Sequence, residues 1–305
     1  MVKNWLKNST VVRYGYNSFT MFKNLPLLLK ECSIFPKPNE PKLNLPTSQL
    51  VTARQFFEFA YLRWSSEMHN QANLHRKQWE FVYILQALYS LGYLKSGKRG
   101  LAFGCGQEPL PAVMAKYGCD IVATDLDWEH AAAQGWVESN LHANSSKELP
   151  NPKIVSESQF NAHITFKNVD MNFIPDDLAG FDFLWSCCAF EHLGSIEHGL
   201  KFVQNAMKCL KPGGVAIHTT EFNLSSNTTT FESPGLSLFR RQDMEQLQKR
   251  LTEEGHYIFP INWNTGKTYL DSHIDYPPYT LSPHIKLKIK EYTCTSIGLI
   301  IRKSS

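Results

Sequence analysis

The sequence predicts an α/β protein with a doubly wound, mostly parallel sheet, and the observations behind this fold class lie in residues 98–127. A short apolar run, 101–103, ends in the turn Gly104-Cys105-Gly106. A helical pattern follows, and a second apolar run ends at Asp125, about twenty residues beyond the glycines. Strand, glycine turn, helix, strand and acid, in this order, are typical of the nucleotide-binding half of such a sheet.

Each part of this segment has a physical reason. Gly104 and Gly106 can adopt backbone angles and close approaches that a side chain would forbid. Asp125 stands where a carboxylate can accept hydrogen bonds from both hydroxyls of a ribose. The alternative for this segment is a structural tight turn. Apolar residues at helical spacing predict a helix that packs on the sheet with its N-terminus toward the turn: Leu110, Val113, Met114 and Tyr117.

The rest of the chain continues the alternation of helices and strands. Up to the fifth strand we expect a helix over 127–141, a loop or helix extension over 142–162, strands over 164–169 and 181–186, a helix over 196–210 that ends at 211–214, and a strand over 215–220. Beyond it we expect a polar, mobile substrate loop over 222–239, a helix over 244–251, a strand over 257–261, a half-exposed strand over 285–290 and a last strand over 292–302.

The residues before the first of these strands form a separate region. Residues 1–50 contain several prolines and predict an irregular or extended arm with one short helix. Apolar spacing predicts one amphipathic helix over 53–64 and a second that starts near His75. We therefore divide the chain into an arm with a helical cap, 1–95, and a second domain, 96–305. The run 75–79 is either a lid over a ligand or, as we favour, a solvated basic turn with Trp79 buried.

Composition excludes several classes of protein. With 305 residues, 43% hydrophobic and 19% charged, the chain is globular. A net charge of +3 is too small to predict a nucleic-acid partner, and no apolar run approaches the length of a membrane span. The 7 cysteines, an odd number without zinc-like spacing, indicate reduced thiols in a cytoplasm.

Five runs, in order, carry a resemblance to a known family: GCGQEP, ATDLD, VDMNFIP, FDFLWSCCAFEHL and LKPGG. Over roughly residues 96–303 the chain resembles the class I S-adenosylmethionine-dependent methyltransferases. The resemblance implies a Rossmann-like, seven-stranded, mostly parallel sheet, in which an antiparallel last strand lies between the fifth and sixth. It also implies S-adenosylmethionine as cofactor.

The resemblance further implies roles for the residues at the strand ends. The glycine turn would approach the methionine part of the cofactor, Asp125 the ribose and Asp170 the adenine amino group, while Ser186 would lie near the sulfonium. The chain departs from the family at two positions. Ala102 stands where many relatives carry an acid, and Glu108 replaces the third glycine of the turn. Glu108 could contact the cofactor amine in place of the missing acid. The expected cofactor residues are Gly104, Cys105, Gly106, Glu108, Asp125, Leu126, Asp170, Met171 and Ser186.

Glu191 and His192 follow the fourth strand and are the candidate catalytic residues. A hydroxyl acceptor reacts faster when a general base or a metal lowers its pKa, and His192 suits the base while Glu191 could orient it. Alternatively the two could share a divalent metal, as an adjacent Glu-His does in some O-methyltransferases. Those relatives carry an acid where this chain has Cys188, so a metal would need a further ligand such as Glu221 or His218, and we do not expect one. The third alternative is structural, with Glu191 capping the next helix.

The wider pattern resembles uncharacterised bacterial methyltransferases of surface-glycan clusters, through HRKQWEF, SCCAFEHLGS, HTTEFN and PPYTLSPHIKLKI. It implies methylation of an oxygen on a polar small molecule, preferably a sugar hydroxyl. A non-catalytic partner with this fold and a methyltransferase on nitrogen or nucleic acid remain alternatives.

The Tyr276-Pro277-Pro278-Tyr279 run is similar to a base-methylating signature. That signature belongs after the fourth strand, whereas this run lies elsewhere, so we expect a turn near the pocket. Residues 271–275 and His284 could make that pocket hydrophilic.

Overall fold

The computed structural model describes residues 39–127, 149, 153–280 and 282–305. Its centre is one 10-stranded sheet, accompanied by a 2-stranded hairpin. The strands are β1 Ser48–Leu50, β2 Arg99–Phe103, β3 Asp120–Asp125, β4 Ile164–Asn168, β5 Phe181–Cys187, β6 Leu210–Asn223, β7 Glu232–Ser233, β8 Leu236–Ser237, β9 Tyr257–Ile258, β10 Ile261–Asn262, β11 Leu287–Ile289 and β12 Tyr292–Arg302.

Helices cover both faces of the sheet. Short 3₁₀ helices span Ala53–Phe57, Phe190–His192 and Met207–Cys209. The α-helices are α1 Phe59–Glu67, α2 Arg76–Ser90, α3 Leu110–Lys116, α4 Glu157–His163, α5 Ile196–Ala206, α6 Arg241–Glu253 and α7 Tyr269–Ser272.

The strand order places a crevice at the centre of the sheet. The order is β10-β1-β12-β6-β5-β2-β3-β4. Strands β2 to β6 pair in parallel, whereas β12 is antiparallel to β6 and β9. The chain runs outward from β2 through β3 and β4 and then returns to β5 on the other side of β2. Ligands of doubly wound sheets bind at such a reversal, outside the carboxyl ends of the strands. The predicted fold class and the antiparallel last strand are confirmed.

Alternating side chains of β2 enter two separate cores. Leu101 and Phe103 lie in the core under α5 and α6, while Ala102 lies in the core under α2 and α3. Helix α2 packs closely on the sheet through its residue Tyr83. The Tyr83 ring lies so near Gly298 of β12 that a Cβ on this glycine would be 2.2 Å from it. This contact brings the start of α2 toward the carboxyl ends of β5 and β6.

Asp182 ties three strands together at the opposite end of the sheet. Its carboxylate accepts from Lys98 Nζ, Lys211 Nζ and the backbone N–H of Arg99, at 3.0, 3.0 and 2.9 Å. Burial alone would raise the pKa of Asp182, but these donors lower it to about 2. The carboxylate therefore stays ionised, and its stabilising contribution is lost only as the pH falls toward that value.

Several predicted boundaries differ from the structure. The helix expected over 53–64 is broken at Glu58, whose backbone is extended between a 3₁₀ turn and α1. The run 211–214, expected to end a helix, lies within β6. Helix α5 already ends at Ala206, and a 3₁₀ turn over Met207–Cys209 precedes the strand. The expected sixth strand is divided into β9 and β10. Helix α4 begins inside the stretch expected as a loop or helix extension and ends one residue beyond it.

The sheet has ten strands instead of the seven that the resemblance implies, because it also includes the short strands β1, β10 and β11. Strand β11 lies within the half-exposed strand expected over 285–290. Strand β1 lies in the region assigned to the arm, and it pairs with β12 and β10. The hairpin β7–β8 lies inside the expected substrate loop. The helix expected over 127–141 and the short helix expected in the arm fall largely or wholly outside the described residues. Among the helices that the structure describes, none is long and apolar enough to cross a bilayer.

Candidate active site

A cleft of about 660 Å³ opens at the carboxyl ends of β2, β3 and β5. One wall comes from the β2–α3 turn and the ends of β3 and β4, and another from α2 and the segment after β5. Its lining includes Lys77, Phe81, Gly104, Cys105, Gly106, Glu108, Asp125, Leu126, Asp170, Met171, Asn172, Cys187, Cys188, His192 and Pro234.

The glycine turn has no room for a side chain at Gly104. Gly104 and Gly106 have φ of 57° and 48°, values that favour glycine. A Cβ on Gly104 would lie 2.8 Å from Ala189 Cβ and 3.3 Å from Met171 Sδ. The backbone of this turn can therefore approach a ligand closely, which fits the methionine part of the predicted cofactor.

Two carboxylates lie at the ends of neighbouring strands. Asp125 accepts the Gly106 N–H at 3.0 Å and the Leu126 N–H at 2.8 Å. Asp170 accepts the Asn172 N–H at 2.8 Å. Both carboxylates are half-buried and lie in the cleft wall, so their positions suit hydrogen bonds to ribose hydroxyls and to an adenine amino group.

Glu108 also faces the cleft, beside the turn. Its carboxyl accepts the Trp185 Nε1–H at 2.6 Å. Burial raises the pKa of Glu108 to about 8, and the nearby Asp125 and Glu80 carboxylates add to the increase. At neutral pH this carboxyl is therefore mostly protonated until a cation comes near it.

Ser186 is placed differently from the sequence-based expectation. It is fully buried, does not line the cleft, and pairs with His218 Nδ1 at 2.8 Å. The His218 ring packs edge-on against Phe202 of α5, with centroids 5.7 Å apart, so this pair lies inside the sheet–helix core. The side chains of a strand alternate between its faces, and the next residue, Cys187, lines the cleft instead.

Glu191 and His192 have separate environments. His192 lies in the cleft wall, and its Nδ1 is 2.7 Å from the carbonyl oxygen of Gly235 in the β7–β8 hairpin. Glu191 is fully buried outside the cleft lining, and its Oε2 accepts the Thr220 hydroxyl at 3.0 Å. The carbonyl of Gly235 therefore contacts His192 Nδ1, in the place where the base alternative had the Glu191 carboxylate.

A buried group of charged residues lies behind this wall, and sequence reasoning missed it. We call Arg76, Glu80, Glu221 and Ser296 the buried charge cluster. The Arg76 guanidinium donates to Glu80 Oε1 at 3.2 Å, to Ser296 Oγ at 3.1 Å and to Glu221 Oε1. Arg76 is 4% exposed. It is therefore not part of a solvated turn, although Trp79 is buried as expected and Lys77 faces the cleft.

Electrostatics within the cluster follow from burial. Burial lowers the pKa of Arg76, but Glu221 and Glu80 more than reverse this, so the guanidinium stays charged. Burial would raise the pKa of Glu80, but Lys77 and Arg76 bring it below its usual value. The pKa of Glu221 is raised by burial. Beside the cluster, Cys188 Sγ and one carboxylate oxygen each of Glu191 and Glu221 lie within 4.8 Å of one another, as metal ligands would.

Residues 271–275 and His284, which could have made the pocket hydrophilic, do not line the cleft. Asp271 accepts the Ala53 N–H at 2.7 Å, and Asp275 pairs with His284 Nδ1 at 2.7 Å in the interior. The Tyr279 hydroxyl donates to the Lys288 carbonyl at 2.8 Å. These contacts fasten the chain between α7 and β11, which is a structural role.

A family model described as a methyltransferase domain matches residues 77–272, well over half of the chain. The chain belongs to the class I S-adenosylmethionine-dependent methyltransferases. The match includes α2 except its first residue, the glycine turn, both strand-end carboxylates and the segment after β5. No curated protein matches the sequence.

Solved structures with a similar fold include other methyltransferases. A TehB-like S-adenosylmethionine-dependent methyltransferase from Corynebacterium glutamicum is 14% identical, with 80% of this chain and 94% of that chain covered and a TM-score of 0.38. TehB from Haemophilus influenzae is 13% identical, with 74% and 67% covered and a TM-score of 0.42. The CurJ carbon methyltransferase is 12% identical with a TM-score of 0.42, and the match covers 76% of this chain but 54% of that one.

Proposed function

We propose that the protein transfers the methyl group of S-adenosylmethionine to a hydroxyl oxygen of a polar small molecule, preferably a sugar. The observation that carries this proposal is the position of His192. Its imidazole lines the same cleft as the glycine turn and the two strand-end carboxylates, in the segment that follows β5.

The cofactor half of the cleft supplies binding. The turn 104–106 accommodates the methionine part, Asp125 accepts from the ribose hydroxyls and Asp170 accepts from the adenine amino group. Glu108 pairs with the α-ammonium group. When bound, S-adenosylmethionine supplies a methyl group already activated by its sulfonium. The chain's task is then to hold the acceptor in line and to remove its proton.

The contact of His192 with Gly235 decides which ring nitrogen is basic. A carbonyl oxygen can only accept a hydrogen bond, so Nδ1 carries the proton at 2.7 Å from it. In the neutral imidazole the lone pair is then on Nε2. We assign Nε2 as the base that would take the proton of the acceptor hydroxyl as the O–CH3 bond forms and the S–CH3 bond breaks, with S-adenosylhomocysteine as the leaving group.

Polar groups in the cleft support a polar acceptor. Besides His192, the lining offers the ammonium of Lys77 and the side chain of Asn172. These groups donate and accept hydrogen bonds in the way that hydroxyl-rich molecules require. The preference for a sugar rests on the resemblance of four sequence runs to methyltransferases of glycan clusters.

The test begins with radiolabelled S-adenosylmethionine and a panel of nucleotide sugars, glycan fragments, small amines and oligonucleotides. With the best hydroxyl acceptor, His192→Ala should lower kcat by about a hundredfold to ten-thousandfold, because general-base catalysis contributes about that much. Affinity for S-adenosylhomocysteine should not change. The matched control is His198→Ala, an exposed histidine on α5, which should keep full activity. Transfer only to amines or oligonucleotides, or full turnover by His192→Ala, would refute the proposal.

A further inference from the structure

Three potential ligands meet behind the cleft wall, next to the buried charge cluster. Cys188 follows β5, Glu191 lies in the 3₁₀ turn after it, and Glu221 is near the end of β6. The Cys188 thiol sulfur and a carboxylate oxygen of each glutamate lie within 4.8 Å of one another. Cys188 lines the cleft, whereas the two glutamates lie deeper.

Each carboxylate has one oxygen held by the protein and one without a partner. Glu191 Oε2 accepts from Thr220, and Glu221 Oε1 accepts from Arg76. Glu191 Oε1 and Glu221 Oε2 are buried and have no hydrogen-bond partner among the described residues. Glu191 is 0% exposed and Glu221 5%. Unpaired buried oxygens are costly, and carboxylates oriented by neighbours are typical of metal ligands.

The thiol is held in place by a strained backbone. Cys188 has a φ of 47°, in the left-handed region that cysteine rarely adopts. Its N–H donates to the Thr219 carbonyl at 3.0 Å and lies 3.2 Å from the Thr219 hydroxyl. Strain of this kind persists where the surrounding structure fixes a functional side chain.

Charge also favours a cation at this place. Arg76 pairs with Glu80 and Glu221, Lys77 pairs with Glu80, and Glu191 adds a third carboxylate beside them. With these carboxylates ionised and Cys188 as a thiolate, as they would be with a metal bound, the group carries two excess negative charges, which a divalent ion would balance. An organic acceptor would meet Cys188 before the glutamates, so the deeper oxygens are within reach of an ion but not of a bulky substrate.

We propose that Cys188 Sγ, Glu191 and Glu221 bind a divalent metal of the zinc type, with a fourth position open to the cleft. A thiolate ligand selects Zn²⁺ or Co²⁺ over Mg²⁺ or Ca²⁺, and three protein ligands with one open position are typical of catalytic zinc. The thiol proton is released to solvent as the S–metal bond forms. The role of this metal rests on the proposed function: it would lower the pKa of the acceptor hydroxyl beside His192.

The test uses Co²⁺, whose absorption reports thiolate coordination, added to the chelator-treated full chain. One equivalent should bind and give a sulfur-to-cobalt charge-transfer band, which Zn²⁺ displaces and Mg²⁺ does not. Cys188→Ser should abolish the band and weaken binding by roughly a hundredfold. Thr220→Val, which removes the donor to Glu191, should weaken binding by about tenfold.

The matched control is Cys187→Ser. This neighbouring sulfur lies 3.4 Å from Glu80 Oε2 and outside the three-ligand group, so its removal should leave the band intact. Circular dichroism and S-adenosylhomocysteine binding check that each variant folds. Absence of stoichiometric binding, or a band that survives in Cys188→Ser, overturns the metal site. Loss of S-adenosylhomocysteine binding in the wild type would instead overturn the proposed function.

Discussion

The strand-end wall of the cleft and the buried charge cluster behind the cleft are built in different ways. The strand-end wall takes its groups from short segments, namely the turn 104–106, Asp125 and Asp170. The buried charge cluster and the neighbouring Cys188 bring together residues that are far apart in the chain, since Arg76 is 112 positions from Cys188, 145 from Glu221 and 220 from Ser296. The strand-end wall depends on local backbone geometry, and the cluster on tertiary packing.

This difference predicts where substitutions act. Asp125 and Asp170 of the strand-end wall are half-buried and held by neighbouring backbone N–H groups, so their loss should weaken ligand binding and leave the fold intact. Side chains of the buried charge cluster compensate one another's charges away from water. Their loss should therefore lower stability first.

The largest effect should follow Arg76→Leu. This substitution leaves Glu80 and Glu221 buried without their cation, and breaking a buried ion pair from one side costs about 3–5 kcal/mol. Urea unfolding should show that loss in the free energy of unfolding. The control Lys167→Leu removes an exposed pair with Asp177 and should cost no more than about 1 kcal/mol. Equal losses in the two variants would mean that the cluster is not a buried, mutually dependent unit.

The structure also shows which features a sequence can reveal. The positions of the glycine turn, Asp125 and Asp170 at strand ends could be predicted because each needs only its own strand and turn, whereas their contacts with the cofactor stay predictions. The position of Ser186 could not, because the face of the sheet to which a strand-end side chain points depends on the pairing of β5 with β6. His218, on that neighbouring strand, holds the Ser186 hydroxyl in the core.

Contacts between distant parts of the chain also explain what the sequence did not reveal in the N-terminal region and at the edge of the sheet. Apolar spacing over 53–64 indicated one helix but not its break at Glu58, where the Leu43 N–H donates to the carboxylate at 3.0 Å. Strand β1 was missed because it has only 3 residues and pairs with β12. A contact between the two ends of the chain leaves no local pattern. The division at residue 95 stays a prediction.

An intermediate effect should appear in the pH dependence of cofactor binding. Glu108 has a pKa of about 8 in the free protein, and its charged form pairs with the α-ammonium. The charged fraction rises with pH, so affinity for S-adenosylhomocysteine should increase by up to about tenfold per unit between about pH 6 and pH 7.5. Calorimetry of Glu108→Gln should give a flat profile.

A second ligand provides the control for this prediction. 5′-Methylthioadenosine lacks the ammonium group, so its affinity for the wild type should not follow Glu108. If both ligands show the same pH dependence, another group in the cleft is responsible for it.

The central claim is that this cleft binds the cofactor through its strand-end carboxylates, and calorimetry with S-adenosylhomocysteine on Asp125→Ala tests it directly. The wild type should bind one equivalent, and the variant should bind at least about tenfold more weakly, because a hydrogen bond to a charged group contributes about 1.5–3 kcal/mol. Asp177→Ala, which removes an exposed carboxylate outside the cleft lining, should bind like the wild type. No binding by the wild type, or unchanged affinity in Asp125→Ala, would contradict the account.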